Sequence, residues 1–291
     1  MQNTLLTLTL RRFVKHRMAL IGSVILVVIL FLVAFAPLFS RGDPFAQDLR
    51  NRLQPPSTEH WMGTDDLGRD MWTRMLYGGR ISLSVGMLAM VVSIAVGSLI
   101  GLVSGYYGGW TDSILSRITE IFLSIPRLFV LIAMGMLLRS VEIPFLKAGS
   151  FTPIAAVIGA LSWMGVARLV RGTTLELRGR EFVQAARVLG VPSARIMFRH
   201  ILPNVFSPII VSATLGLAGA IISESGLSYL GFGVQLPTPT WGNMLSNTQN
   251  QITTAPWTVI FPGMAIFIIV IAINYIGDGL RDALDPRHFT K

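Results

Sequence analysis

The chain has 291 residues, of which 52% are hydrophobic and 13% charged, with no cysteine and a formal net charge of +9. A soluble domain carries about 25% charged residues, so the deficit, with a mean hydropathy of +0.61, excludes an ordinary cytoplasmic enzyme, a disordered regulator and a small secreted scaffold. The lack of cysteine excludes thiolate metal sites, thiol catalysis and disulfide staples, and His16, His60, His200 and His288 lie far apart, without ligand-like spacing.

A hydrocarbon core of ~30 Å takes about 20 apolar residues in a helix, and uncharged runs of that order recur along the chain. The first, Met18–Ser40, follows the basic residues Arg11, Arg12, Lys15 and Arg17. It is longer than the ~7–15-residue core of a signal peptide, and Pro37 follows the cleavage look-alike Ala34-Phe35-Ala36. The reading is a retained first span. Next, Asp65-Asp66-Leu67-Gly68-Arg69-Asp70 has the look of an acidic metal motif, but Arg69 stands where a carboxylate is needed. A capped outer helix with Arg69, Arg74 and Arg80 as internal partners is expected there, and no metal.

The second run, Ile81–Thr111, carries Ser93, Gly97, Gly101 and Gly105 at intervals of four, a stripe that lets another backbone approach closely. The third, Ile118–Leu138, contains Pro126 and Arg127. A kink is expected there, near the cytoplasmic end, with the arginine in reach of the interface. Ala148–Ala167, Ile201–Ser223 and Val259–Gly277 supply three more spans, which makes six. Between the last two, residues 226–257 are uncharged but polar, with Pro237, Pro239, Pro256, Asn247 and Asn250. Irregular polar backbone at this depth is tolerated where it lines a cavity or is covered by protein. Glu224, Trp241, Gly242 and Asn243 are therefore assigned to an outer gate and substrate path, and Glu224 is the only charged side chain between His200 and Asp278.

Charge placement orients the spans. With both termini cytoplasmic, six spans put the whole +9 on the inner side, and the outer segments balance to zero. That is the positive-inside pattern, and an odd number of spans would scatter it. The basic residues lie beside the membrane without interleaved stacking aromatics, so nucleic acid is not a partner; the lipid bilayer is.

No span carries a pattern of buried carboxylates or histidines, which a proton- or sodium-driven secondary transporter, the alternative class, would use near the midplane. There is no G-x-x-x-x-G-K-[ST] loop, and Gly-Lys never occurs, so the chain cannot itself cradle ATP phosphates. Nor is there a triad pattern or a nucleophile elbow; no catalytic residue is assigned. ATP-driven transport would place ATP and Mg in another subunit.

Arg168–Pro203 is long and strongly basic. Within it Phe182, Ala185, Ala186 and Leu189 fall at i, i+3, i+4 and i+7, an apolar helical face. Gly190 is placed to end that helix, Pro192 prevents simple continuation, and Ser193 can cap a second short helix. The product is a cytoplasmic hairpin with small alanines where a partner could dock, or else an amphipathic helix lying on anionic lipid.

The stretch Glu181-Phe-Val-Gln-Ala-Ala-Arg-Val-Leu-Gly190, followed by His200-Ile-Leu-Pro203, resembles the EAA loop of bacterial ABC importer permeases, E-A-A-x3-G-x9-I-x-L-P. Ala185, Ala186, Gly190, Leu202 and Pro203 match, while Gln184 stands at the motif's glutamate and His200 at its isoleucine. Gly63–Asp70, Tyr77–Leu83, Gly105–Gly109 with Asp112, Ser124–Pro126, Leu230–Pro239 and Gly277–Pro286 are similar to the C-type permease subunit of the dipeptide/oligopeptide/nickel branch.

The resemblance implies an all-α polytopic fold with six transmembrane helices, that of type I ABC importer permeases, in a bacterial or archaeal plasma membrane. It divides the chain into residues 1–80 (first span and outer segment), 81–277 (permease core) and 278–291 (cytoplasmic tail). It implies import of dipeptides or oligopeptides, or with the same architecture of nickel chelates or oligosaccharides. The implied partners are a homologous second permease, two ATP-binding cassette ATPase subunits and an extracytoplasmic substrate-binding protein. Glu181, Ala185, Ala186, Gly190, Leu202 and Pro203 would form the ATPase-coupling element.

Overall fold

A computed structural model describes residues 5–140, 151–246, 248 and 251–284. Asn247, Asn250, the connection 141–150 and the tail beyond Leu284 lie outside the described residues. The chain is helical: α1 (Leu5–Lys15), α2 (Arg17–Ala34), α3 (Ala36–Phe39), α4 (Met71–Tyr107), α5 (Gly109–Ser124), α6 (Arg127–Ser140), α7 (Thr152–Ala160), α8 (Trp163–Arg178), α9 (Glu181–Val188), α10 (Ser193–Arg195), α11 (Leu202–Tyr229), α12 (Trp241–Met244) and α13 (Trp257–Leu284). Among the described residues the only bridge of extended backbone joins Thr64 and Asp70.

Four helices are long and apolar enough to cross a membrane: α2, α4, α11 with the turns that lead into it, and α13. Two bent pairs, α5 with α6 at 86° and α7 with α8 at 41°, bring the spans to the expected six. The first break has a clear cause. Pro126 disfavours helical backbone at Ile125, which is extended at φ −88° and ψ 128°, so α5 stops and α6 restarts at Arg127. At the second break, the Ser162 hydroxyl donates to the Ile158 carbonyl at 2.5 Å, a back-bond that bends helices.

The outer residues fold as the charge pattern suggests. Asp70 caps α4, its carboxylate accepting the Thr73 N–H at 2.8 Å, so this helix starts ahead of the uncharged run. Arg69 and Arg74 both face Asp65, at 2.7 and 3.3 Å. Arg80 donates to the carbonyls of Val33 and Ala34 at 2.7 and 2.5 Å, satisfying groups that the end of α2 leaves without helical partners. Trp257 at the head of α13 donates to the Thr64 carbonyl at 3.0 Å. Residues 41–70 are thereby pinned to the helix ends.

The glycine stripe of α4 is where α8 lies. A methyl group added at Gly97 would sit 2.6 Å from the Trp163 carbonyl oxygen, and one at Gly101 equally close to that of Ala167; at Gly105 it would meet Thr174 Cβ at 2.7 Å. Gly159 of α7 continues the seam against the Ala89 carbonyl at 2.7 Å. The outer half of α4 packs instead with α2, α11 and α13 through Val33, Met75, Leu83, Ile221 and Ile269. Gly101→Val is therefore expected to prise α4 from α8, at about 1–3 kcal/mol or more for overpacking. Gly263→Ala in α13, whose added methyl meets nothing within 4 Å, should be neutral or gain roughly 0.5–1 kcal/mol. Thermal unfolding of the two variants in detergent checks the contrast.

Candidate functional site

The hairpin forms where the sequence places it. Gly190 ends α9 with φ +72°, the left-handed region that glycine enters without penalty. Its N–H donates to the Arg187 carbonyl and the Val191 N–H to that of Ala186, both at 3.0 Å; the pair of bonds is a Schellman closure. Pro192, rather than Ser193, occupies the cap of α10, and the Ser193 hydroxyl instead accepts from Tyr106 at 3.4 Å. A wide turn over Ile196–Ile201 then runs straight into α11, with the Leu202 N–H reaching back to the Met197 carbonyl. Pro203 has no N–H, and its ring crowds the carbonyl four residues back; widening the preceding turn relieves this. Leu202 packs against the inner core cluster, and Pro203 is exposed.

The expected apolar face is split. Val183 and Ala186 point inward, onto a cluster with Tyr106, Val170, Ile196, Met197 and Ile201, while Phe182, Ala185, Val188 and Leu189 are exposed, the last two by 88% and 81%. Ala186 is thus occupied by its own chain and is not part of the open surface. The reason is the seat of α9 against the inner end of α4, which turns the i, i+3 line of Val183 and Ala186 toward the core. Three contacts hold that seat. Arg187 lies over the Tyr106 ring at 4.9 Å, Arg178 donates to the Tyr106 carbonyl at 3.2 Å, and Gln184 donates to the Arg178 carbonyl at 3.0 Å. Glu181, exposed, opens α9, where a carboxylate favours the helix dipole.

A clamp that sequence reading did not single out lies next to this base. Asp112 of α5 receives two bonds from Arg171 of α8, at 2.5 and 2.7 Å, and the Ser104 hydroxyl of α4. The two residues stand 59 apart, one of them among several arginines of the basic stretch that opens at Arg168, so no local pattern signalled their pairing.

At the opposite end, Glu224, Trp241, Gly242 and Asn243 come together in one knot. Glu224 is fully buried. Its Oε2 accepts from the Ser82 hydroxyl at 3.1 Å and its Oε1 from that of Ser228 at 2.7 Å. Each serine in turn accepts a backbone N–H of the outer loop, Trp241 onto Ser82 and Val234 onto Ser228, both at 3.2 Å. The carboxylate therefore holds both ends of the loop through two hydroxyl relays. The Trp241 indole donates to the Met75 carbonyl at 2.9 Å, and Asn243 closes a reciprocal capping box with Thr240. Gly242 lies so close to α11 that an added methyl would meet Ser225 Cα at 2.5 Å. Beside the knot, a cavity of about 240 Å³ opens between Asp65, Arg69 and Arg74 and the loop residues Gln235, Asn243 and Ser246. Among the described residues no cluster of three or more metal-ligating side chains occurs.

Residues 97–289 match the family described as binding-protein-dependent transport system inner membrane component. Residues 4–56 match the N-terminal TM domain of oligopeptide transport permease C. The dipeptide transport system permease protein DppC of Alkalihalophilus pseudofirmus is 45% identical over 273 residues, which cover 94% of this chain and 87% of that one. The oligopeptide transport system permease protein OppC of Bacillus subtilis is 41% identical, with 95% and 88% covered. A chain of the MetNI methionine ABC transporter, solved in inward facing conformations, superposes with a TM-score of 0.58 over 74% of this chain and 98% of its own, at 19% identity; that is a likeness of fold alone.

Two contrasts test these arrangements. Ala186→Lys forces an ammonium into the Val183–Ile201 cluster and should lower the unfolding temperature strongly, whereas Ala185→Lys, at an exposed site, should stay within about ±0.5 kcal/mol. Glu224→Ala strands the Ser82 and Ser228 hydroxyls, at roughly 1–3 kcal/mol for lost partners. Glu224→Gln, which keeps one acceptor oxygen, should cost less, as unfolding in detergent would show.

Proposed function

The chain belongs to the family of binding-protein-dependent transport system inner membrane components, and on that premise we propose that it is the C-type permease subunit of an ATP-driven importer of dipeptides and oligopeptides. Its relatives, a dipeptide and an oligopeptide transport system permease protein, support that substrate class. It forms one half of the translocation path with a homologous permease, receives cargo from an extracytoplasmic binding protein on the outer loop, and is driven by two ATPase subunits. Both termini lie in the cytoplasm. Residues 81–277 form the permease core, residues 1–80 an added span and outer segment, and residues 278–291 the tail.

One observation carries the reading. The hairpin leaves Phe182, Ala185, Val188 and Leu189 exposed on a short helix, yet the other side of that helix is locked to α4 and α8 through Tyr106 and Arg178. A rigid, outward apolar knob whose base is tied to two spans suits a lever that enters a cleft of another protein. When ATP closes the ATPases, displacement of α9 is handed to α8 and α4, and the outer ends of those helices respond. The chain itself has no phosphate-binding loop, so the energy arrives through this contact.

The test is a pair of substitutions on the exposed side, Ala185→Lys and Leu189→Asp, in the co-expressed complex. Both should leave the permease folded, and both should abolish peptide-stimulated ATP hydrolysis or release the ATPases. Full uptake with the ATPases attached would refute the coupling role. If the helix instead lay on anionic lipid, the added lysine would be harmless or favourable.

A further inference from the structure

A second cavity, of about 320 Å³, opens on the side of the bundle, lined by Ser93 of α4, Ser162 at the α7–α8 break, Gly165 of α8, Ser212 and Gly216 of α11, and Arg127. Ser93 and Ser212 fall near the middle of the uncharged runs Ile81–Thr111 and Ile201–Ser223, so the cavity is at mid-depth of the spans. The volume is within the ~300–1,000 Å³ range of small-molecule sites. Methyl groups added at Gly165, Gly216 or Gly219 would meet nothing within 4 Å. Unlike the glycines of the α4 seam, these three keep space open rather than bring backbones together.

Arg127 does not reach for the interface as its neighbourhood in sequence suggests. After the 86° bend at Pro126, Arg127, although exposed, lines the cavity and donates to the Ser162 hydroxyl at 2.7 Å. Among the described residues no carboxylate pairs with it. Asp112 is clamped by Arg171, Glu120 lies beside Arg117, and Glu224 is sealed among serines. A guanidinium at this depth is expensive and marks a functional site unless an anion faces it. It presents several N–H donors in a fixed fork suited to a carboxylate, and one neutral hydroxyl uses only one of them.

We propose that this cavity is a station on the transport path, where Arg127 receives the C-terminal carboxylate of the passing peptide while Ser93, Ser162 and Ser212 line its backbone. The station rests on the peptide-importer reading above. The counter-ion is then supplied by the cargo, which every linear peptide carries whatever its side chains. Such a contact selects for free peptides and is indifferent to sequence. Because the carboxylate meets neutral hydroxyls and a single cation, it can also leave.

The test uses the complete reconstituted transporter with its binding protein. Trialanine and trialanine amide are each supplied at concentrations that load the binding protein equally, as measured by equilibrium dialysis. Arg127→Gln should lower trialanine uptake on the order of tenfold per assembled complex and change amide uptake less than twofold; Arg127→Lys should retain more trialanine uptake than Arg127→Gln. An unaltered transporter that takes up trialanine but refuses the loaded amide also supports the site. Gly216→Leu, which fills the cavity, should reduce uptake of both. Equal losses of the two peptides in Arg127→Gln, or no loss of either, would overturn the site, as would full uptake in Gly216→Leu. Uptake of neither peptide by the unaltered transporter would instead overturn the importer reading on which the site rests.

Discussion

Everything in this molecule is arranged around the close approach of α4 to α7 and α8. In a membrane no hydrophobic force drives helix against helix, and packing comes from how near two backbones can come. Gly97, Gly101 and Gly105 of α4, with Gly159 of α7, remove the side chains that would hold them apart. Because α4 runs from Met71 to Tyr107 without interruption, the helix that carries this seam spans the protein from its outer cap to its inner hairpin. At the inner end it delivers Tyr106 under α9, and in the middle it sets Ser93 opposite Ser162 across the cavity. At the outer end it presents Ser82 to Glu224.

A chain with so few charges handles each one individually. Asp65, with Asp66, offsets Arg69 and Arg74 at one end of the bundle, and Asp112 neutralises Arg171 at the other. Glu224 is satisfied without any cation, by hydroxyls that already accept backbone N–H groups. Removing one partner from such a network costs more than the network contributes net, because the remaining group stays buried and unpaired. The outer loop is therefore held by polar bonds whose strength depends on water staying out. The broken helices follow the same logic: the two breaks leave polar groups free at mid-depth, and these groups line the inner cavity and meet each other, Arg127 on Ser162.

The proposed coupling between the two ends would need no long chain of contacts. The inner hairpin is tied to α4 and α8, and the outer knot to α4 and α11. A helix shared by both would, on that proposal, transmit a tilt directly, as domain-level switches do when packed elements move as bodies. The Asp112–Arg171 pair adds α5 to that body, and with it the bent helix that carries Arg127.

Sequence alone was enough for whatever depends on local spacing or on runs. The six spans follow from uncharged lengths, the α4 seam from glycines at every fourth position, the kink from Pro126, and the hairpin turn from Gly190 ahead of Pro192, because each is dictated by backbone geometry within a few residues. Family likeness could be read from the Ala185-Ala186…Gly190…Leu202-Pro203 pattern in the same way. Tertiary structure decided which groups meet. A helical period cannot tell Ala185 from its neighbour Ala186, one exposed and one buried, since adjacent residues differ by only about 100° around the helix. Glu224 finds Ser82 from 142 residues away, and Arg127 finds Ser162 across two helix breaks; no local pattern encodes those pairings, because the packing of distant helices creates them.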